Sequence, residues 1–345
     1  MNLAELWFVI IAVFWTGFFV LEGFDFGVGA LHAVIGRSET ERRTAINTIA
    51  PFWDGNEVWL VVGAAAIFAA FPAWYATWLS ALYLGVVLLL LALIARGVAL
   101  EWRGRGSSRP WRGMWSIGLS IGSVVAPLVL GMALGALLAG LPIDEDGAFT
   151  GRVWDLFSGF GVWTGLTLVA LCLFHGATFL AIRTTDQLRE RASRWAGTLG
   201  ILALAMVAVF AVWTSLMAQP GWPSYVLFAV AMLAIVAGLV TARRGGEKGA
   251  FAATAIAIAA TVGSLFASLF PNVLVSSTKA EYSLTVAGSA SGEYALTVMT
   301  IVAAVFFPLV LLYQGYTYVV LRRRVGGSPL PAEGLEEPHP VVPAE

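Results

Sequence analysis

Long apolar runs dominate the pattern of hydrophobic and polar positions along the chain, and short polar segments separate them. A transmembrane helix needs about 20 mainly apolar residues, and nine runs have that character. They cover residues 5–35, 51–71, 75–100, 113–139, 158–182, 195–217, 224–242, 250–270 and 294–321. The runs do not alternate with a period of two residues, which excludes a transmembrane β-barrel. The pattern therefore predicts an all-α integral membrane protein with nine transmembrane helices.

Positive charges fall almost entirely on one side of the predicted membrane. They cluster in or beside the first, third, fifth and seventh connections and directly after the last helix. Of the 20 Lys and Arg residues, only Arg152 and Lys279 fall on the opposite side. Because cytoplasmic loops carry the excess of Lys and Arg, we expect the N-terminus outside and the C-terminus in the cytoplasm.

Two short outer turns suggest an internal repeat. Residues 72–74 (Pro-Ala-Trp) join the second and third helices, and residues 220–222 (Pro-Gly-Trp) join the sixth and seventh. This similarity predicts two four-helix bundles in the same orientation, a parallel 4+4 repeat, plus one additional helix. The predicted boundaries are 1–140 for the first bundle, 141–270 for the second, 271–293 for an outer loop, 294–324 for the ninth helix and 325–345 for a disordered cytoplasmic tail.

Composition supports the membrane assignment and narrows the function. The chain of 345 residues is 59% hydrophobic and 12% charged, whereas a soluble domain has about 25% charged residues. Its 20 basic residues balance 21 acidic ones, so no nucleic acid is expected as a partner. The single cysteine, Cys172, excludes a disulfide scaffold. The first residues lack the positive region of a secretory signal, so the first run is expected to be a permanent span.

Four acidic residues and one arginine converge on the cytoplasmic side of three consecutive predicted helices. Glu22 and Asp25 lie inside the first run, and their spacing of three places both carboxylates on one helix face. Asp54 and Glu57 lie in the first two turns of the second run, where the helix dipole favours negative charge. Arg96 approaches the same depth from the third run.

The depth of these groups decides which of them need a partner. An ionisable group at the membrane centre costs about 2.5–3.5 kcal/mol on insertion scales, and Asp25 lies about 15 Å from its helix end at 1.5 Å per residue. Glu22 and Asp25 must therefore face protein, water or a cation. For Asp54, Glu57 and Arg96 a structural role at the interface stays open. Carboxylates at depth can hand protons on, so we interpret the group as a proton path.

The histidines are weaker candidates for metal or haem ligands. Haem needs an axial His, Met, Cys or Tyr, but neither His32 nor His175 has an obvious second ligand opposite it. Packing roles are favoured for both, and no metal site is expected in this chain.

Several long segments resemble subunit II of cytochrome bd-type quinol oxidases. They are residues 23–29, 40–43, 50–56, 58–60 and 68–70, together with Asn47, Pro72 and Arg96, and, further on, 270–271, 276–277, 296–299 and 308–313. The resemblance covers 20–103 and 268–318 in sequence and is mainly topological between them. Two positions depart from the family pattern, because Glu22 replaces an aspartate and Glu57 a neutral amide.

The resemblance implies a non-haem subunit of a terminal oxidase in the bacterial cytoplasmic (inner) membrane. Such an enzyme oxidises quinol and reduces dioxygen to water with protons from the cytoplasm. The haems b and d belong to a larger partner, subunit I, so this chain is expected to supply no haem ligand and not to be catalytic alone. Further expected partners are the lipid bilayer, a quinone that this subunit could hold structurally, and small accessory single-span subunits.

The resemblance also assigns roles to individual residues. Asp25 and Asp54 are expected to carry protons, with Glu22 and Glu57 accessory and Arg96 as countercharge. Trp53 and Trp59 are candidates for a quinone or subunit contact. Two alternatives stay open from the residues alone: a secondary transporter that uses the same acids for ion coupling, and a structural scaffold whose acids merely pair with subunit I.

Overall fold

The computed structural model describes residues 2–326, almost all of them in long helices. The helices are α1 (Leu3–Ile35), α2 (Glu39–Asn47), α3 (Trp53–Ala70), α4 (Pro72–Ala81), α5 (Tyr83–Trp102), α6 (Arg109–Ala139), α7 (Gly159–Arg183), α8 (Asp186–Ala218), α9 (Trp222–Arg243), α10 (Glu247–Leu269), α11 (Val286–Ser289) and α12 (Glu293–Val320). Residues 327–345 of the predicted tail, with His339, lie outside the described residues.

Eight helices of the described part are long and apolar enough to cross a membrane, namely α1, α5 to α10 and α12. This confirms an all-α, multi-pass membrane protein. The predicted second run is α3, which has only 18 residues and begins with polar side chains. The predicted third run is divided into α4 and α5 at Leu82, although hydrogen bonds from Leu82 N to Trp78 O and from Val86 N to Leu82 O carry the helical pattern across the break.

Helix α1 is the centre of the packing. It contacts α3, α6, α7 and α10. Its crossing with α7 requires two glycines, because a Cβ atom at Gly27 would lie 2.0 Å from the Cys172 carbonyl oxygen and one at Gly176 would lie 2.5 Å from Gly27. In a membrane the hydrophobic effect does not drive helices together, so helix contacts depend on close packing, which small residues allow.

The connections gather at two ends of the molecule. At one end the chain between α10 and α12 forms a two-stranded antiparallel sheet, β1 (Asn272–Leu274) with β2 (Leu284–Thr285), which the sequence pattern did not predict. The opposite end holds α2, a turn at Arg103–Arg105, the α7–α8 and α9–α10 connections, and residues 321–326. We call this opposite end the arginine-rich end.

Ion pairs tie the segments of the arginine-rich end together. Arg191 of α8 lies 2.5 Å from Glu41 of α2 and also donates to the Ile35 carbonyl. Arg103 pairs with Glu39 of α2 at 2.9 Å. After α12, Arg324 pairs with Glu247 of α10 at 2.7 Å and donates to the Thr184 carbonyl. These contacts show that the arginine-bearing connections lie on one side, as the charge pattern predicted.

Helix α12 lies at the margin of the molecule. Only Leu296 of its residues is buried, and most of its large apolar side chains are exposed. It is held at one end by Trp7, whose indole N–H donates to Leu296 O and Thr300 Oγ1. At the other end Arg183 of α7 donates to the Leu321 carbonyl. Hydrogen bonds near its ends and ring contacts of Phe307 and Tyr318 therefore fix its position.

The Glu41–Arg191 pair leads to a prediction of pH-dependent stability. Burial raises the pKa of the Glu41 carboxyl, but hydrogen bonds from Arg191 and from two backbone N–H groups outweigh it, so this pKa lies below its ordinary value. A carboxyl with a lowered folded-state pKa stabilises the fold above the unfolded-state pKa and loses that contribution as the pH falls through the folded-state pKa.

Glu41→Gln should therefore lower the thermal unfolding temperature of the purified complex by roughly 1–2 °C at neutral pH, because a partly exposed ion pair contributes about 0.2–1 kcal/mol. The difference should disappear as the pH falls below the lowered folded-state pKa of Glu41, where the carboxyl is protonated. Glu190→Gln, at an exposed position, is the control. An unfolding difference that persists in acid would contradict the assignment.

Candidate functional site

A buried ion pair between Glu22 of α1 and Arg96 of α5 is the centre of the site. Both side chains are 0% exposed. The Arg96 guanidinium also lies 4.8 Å from the centre of the Phe26 ring, where a cation–π interaction stabilises its positive charge. Arg96 Nε and Nη2 make no hydrogen bond to the described residues. The pair thus leaves donors of the guanidinium available to other groups.

Asp25 lies in the same buried region and is 0% exposed. Its Oδ2 accepts a hydrogen bond of 2.7 Å from the Asn56 side-chain amide of α3. Glu22 and Asp25 are neighbouring side chains that interact with each other and with Arg96 and Glu57. The spacing of three residues on α1 therefore places both carboxyls together, as the sequence predicted.

The Asn56 amide uses all of its hydrogen-bonding capacity. Its Nδ2 donates to Asp25 Oδ2 and to the Leu21 carbonyl, at 2.7 and 3.1 Å. Its Oδ1 accepts from Gln314 Nε2 and from the Tyr318 hydroxyl of α12, each at 2.8 Å. Because the Leu21 carbonyl can only accept, the Asn56 NH₂ group must face α1.

Asp54 and Glu57 lie outside this buried core. The Asp54 side chain is exposed on the surface of the chain, and that of Glu57 is half-buried. Trp53 lies against α5, where a Cβ atom at Gly97 would be 3.5 Å from its ring. Trp59 is buried and its ring centre lies 6.3 Å from that of Phe14 and 5.9 Å from that of Phe307.

Three residues of the network were not singled out from the sequence. Asn56 appeared there only as part of a motif, and Gln314 and Tyr318 appeared only within an apolar run. A signal for the last two was present, because their spacing of four places both on one face of a hydrophobic helix. Nothing in the sequence showed which helix that face would contact.

The histidines are used in packing. His175 has both ring nitrogens in hydrogen bonds, to Thr254 Oγ1 at 2.6 Å and to the Val20 carbonyl at 3.1 Å, and its ring stacks on Phe251. His32 Nδ1 bonds the Gly29 carbonyl at 2.7 Å. Within residues 2–326, no three His, Cys, Asp or Glu side chains come together in a way that could hold a metal ion.

Comparison with known proteins identifies the family. A family model described as cytochrome bd terminal oxidase subunit II matches residues 3–321. The chain belongs to this family. The membership confirms the function expected from the resemblance, that of a subunit of a terminal oxidase complex, in preference to a secondary transporter.

Individual relatives agree with the family membership. The chain is 42% identical to cytochrome bd ubiquinol oxidase subunit 2 of Bacillus subtilis over 328 residues, covering 94% of this chain and 97% of the relative. It is 34% identical to cytochrome bd-I ubiquinol oxidase subunit 2 of Escherichia coli K12 over 350 residues, covering 91% and 92%.

A solved structure has the same fold. A chain of the bd oxidase from Geobacillus thermodenitrificans superposes with a TM-score of 0.76, covering 93% of this chain and 98% of that one. The identity is 17%, so this likeness bears on fold alone. The structural likeness therefore supports the helical fold, whereas the role in a terminal oxidase rests on the family membership.

The Glu22–Arg96 pair leads to a prediction about assembly. Arg96→Gln leaves the buried Glu22 carboxylate without its countercharge, and breaking a buried pair in this way costs about 3–5 kcal/mol. Most of the complex should therefore fail to assemble, which lowers the yield of purified enzyme. The thermal unfolding temperature of the enzyme that does assemble should fall as well.

The matched variant removes both charges. Glu22→Gln combined with Arg96→Gln removes both charges of the pair, and the remaining Asp25 carboxyl is neutral when it holds the proton of the cluster. The double variant should therefore recover much of the yield that either single change loses. If the double variant is as damaged as the sum of the two single variants, the two side chains do not act as a pair.

Proposed function

We propose that this subunit delivers protons from the cytoplasm, at its arginine-rich end, to the oxygen-reducing centre of its partner subunit. The observation that carries the proposal is the cluster of Glu22, Asp25 and Arg96, all 0% exposed. Buried ionisable groups are rare in membrane helices and mark ion or proton pathways.

Charge balance suggests how the cluster would hold a proton. One guanidinium and two ionised carboxylates would leave an excess negative charge in a water-poor region, where an unbalanced charge is costly. With one proton on one of the two carboxyls the cluster is neutral. Because Glu22 and Asp25 are neighbours, that proton can pass between them without leaving the buried region.

Asp54 and Glu57 supply a route from the surface. Asp54 is exposed, Glu57 is half-buried one turn later on α3, and Asn56 of the same helix touches Asp25. The three positions on α3 thus lead from the surface of the chain to the buried carboxyls of Asp25 and Glu22. In this scheme Asp25 and Asp54 carry protons, Glu22 and Glu57 assist, and Arg96 is the countercharge.

The proposed membrane topology rests on the position of the arginine-bearing connections. The arginine-bearing connections share one end, and α3 would be a ninth crossing despite its polar first turns. We therefore propose nine transmembrane helices with the N-terminus outside and the C-terminus in the cytoplasm. The contacts of α1 with helices of both halves of the chain are compatible with two four-helix bundles, residues 1–140 and 141–270, to which the outer loop 271–293 and the ninth helix 294–324 are added.

The redox chemistry is assigned to the partner. The haems b and d are expected in subunit I, and the hydrogen bonds of both His175 nitrogens fit a chain that lends no axial ligand through that residue. Relatives named ubiquinol oxidase subunits indicate a quinol as the reductant. Trp53, which is half-buried at the surface of α3, is a candidate contact for subunit I or a quinone, whereas the buried Trp59 is packed between α1 and α12. Small accessory single-span subunits stay a proposal.

Asp25→Asn and Asp54→Asn test the proton route. Either change removes a group that can accept and release a proton but keeps its size, so steady-state oxygen consumption should fall by about tenfold to hundredfold. Haem content, read from the absorption spectrum, should be normal. Glu190→Gln, an exposed acid at the same end of the molecule, should leave the rate unchanged.

Two outcomes would count against the proposal. Full turnover of both variants at normal haem content would show that these acids carry no essential proton. Loss of haem with an unchanged rate per remaining enzyme would favour the purely structural role.

A further inference from the structure

We infer that Gln314 and Tyr318 of α12 are positioning residues, which orient Asp25 through the Asn56 amide. The inference rests on the proposed proton function of Asp25 and adds residues that do not themselves titrate in the route. Its physical basis is the complete set of four hydrogen bonds on one buried amide.

Each bond restricts the Asn56 amide in one direction. Gln314 Nε2 and the Tyr318 hydroxyl occupy both acceptor positions of Asn56 Oδ1, so the amide oxygen is directed to α12. The NH₂ group is left facing the Leu21 carbonyl and Asp25 Oδ2. A rotated amide would place its oxygen against two acceptors, which is strongly unfavourable.

This orientation decides which oxygen of Asp25 can carry a proton. Asp25 Oδ2 accepts from Asn56, so a proton on that oxygen would face the donor N–H. The proton is therefore confined to Oδ1. The other charged or titratable groups near Asp25 are Glu22 on α1, Glu57 on α3, Arg96 on α5 and Tyr318 itself. Asn56 thus leaves Oδ1 as the oxygen of Asp25 that can exchange a proton with the neighbouring carboxyls.

Tyr318 differs in its surroundings from the other tyrosines of α12. Neighbouring tyrosines of the same helix, Tyr313 and Tyr316, are 70% and 68% exposed. The Tyr318 ring instead stacks on Phe52, directly before α3, at 4.7 Å and 8°. Because this stacking does not need the hydroxyl, Tyr318→Phe removes the hydrogen bond and keeps the packing.

The test combines Tyr318→Phe with Gln314→Leu in the assembled enzyme. Loss of both donors leaves the amide held only through its NH₂ group, by the Leu21 carbonyl and Asp25. Asn56 is then fixed less firmly, so oxygen consumption should fall by about threefold to tenfold, with a displaced pH profile. Tyr316→Phe is the matched control and should change neither property. Normal haem content and an unchanged thermal unfolding temperature would separate positioning from a loss of structure.

Three results are decisive. An unchanged rate and pH profile in the double variant, while Asp25→Asn is slow, would overturn the positioning role and leave the proton route standing. Full turnover of Asp25→Asn would overturn both. The third result is a slow double variant together with a normal rate in Gln314→Leu alone, where the Tyr318 hydroxyl is kept. It would show that one donor suffices to orient the amide, which supports the inference.

A separate observation assigns a ligand site to the arginine-rich ends of α8 and α9. A groove of about 390 Å³ lies between them and is lined by two arginines and two hydroxyl groups, Arg194, Arg243, Ser193 and Thr198. No acidic side chain lines it. Within the described part of the chain neither arginine is in an ion pair, whereas Arg103, Arg189 and Arg191 all are.

We propose that this groove binds the phosphate of an anionic phospholipid. Two unneutralised guanidinium groups with adjacent hydroxyls match a phosphate diester. A lipid is favoured over free phosphate because apolar side chains continue along both helices from the groove: Ile201 is 52% exposed, Val236 41% and Val240 38%. These side chains can contact the acyl chains of the same molecule.

Native mass spectrometry of the purified complex, with phosphatidylglycerol or phosphatidylcholine added at equal concentration, tests this site. The unchanged enzyme should retain phosphatidylglycerol preferentially, and Arg194→Gln with Arg243→Gln should weaken that retention roughly tenfold. Arg322→Gln with Arg323→Gln, exposed positions of equal charge, should not. Equal retention in both double variants, or displacement of the lipid by millimolar inorganic phosphate, would overturn the proposal.

Discussion

The ion pair between Glu22 and Arg96 is the constraint on which the rest of the structure depends. Two charges that are fully buried in a membrane protein must lie together, because each alone would cost several kcal/mol. The pair therefore links α5, which packs mainly on α6, to α1 at one depth. Asp25, one turn along α1, is then held close to the same guanidinium, and Asn56 of α3 completes the arrangement.

Much of this arrangement could be predicted from the sequence. Apolar runs gave the positions of the long helices, since backbone groups in lipid must be paired within a helix. The depth of Glu22 and Asp25 and their spacing of three identified the buried pair. The arginine-bearing connections were placed on one side by charge alone, and ion pairs such as Arg191–Glu41 show them together.

Other features depend on contacts that a sequence pattern does not contain. Asp54 and Asn56 are two residues apart, yet the first is exposed and the second fully buried, because the face of α3 that meets α1 is decided by tertiary packing. The role of Gln314 and Tyr318 depends on their hydrogen bonds to Asn56, which exist only because α12 lies beside α3. The break at Leu82 has no proline or glycine at that residue, so periodicity runs through it. The β1–β2 pair is too short to leave an alternating pattern.

The two sides of α1 are held in different ways, and this difference bears on function. Toward α7, glycine contacts bring the backbones together and leave no room for added side chains. Toward α3, the close contact of Gly17 with the Trp59 ring is joined by hydrogen bonds from Asn56. Helix α12 is held by hydrogen bonds together with ring contacts of Phe307 and Tyr318. Hydrogen bonds between membrane helices contribute only about 0.6 kcal/mol each on average. Close glycine packing against α7 would therefore keep the α1 backbone and its buried carboxyls in place, whereas the hydrogen bonds from Asn56 and from α12 could rearrange at small cost.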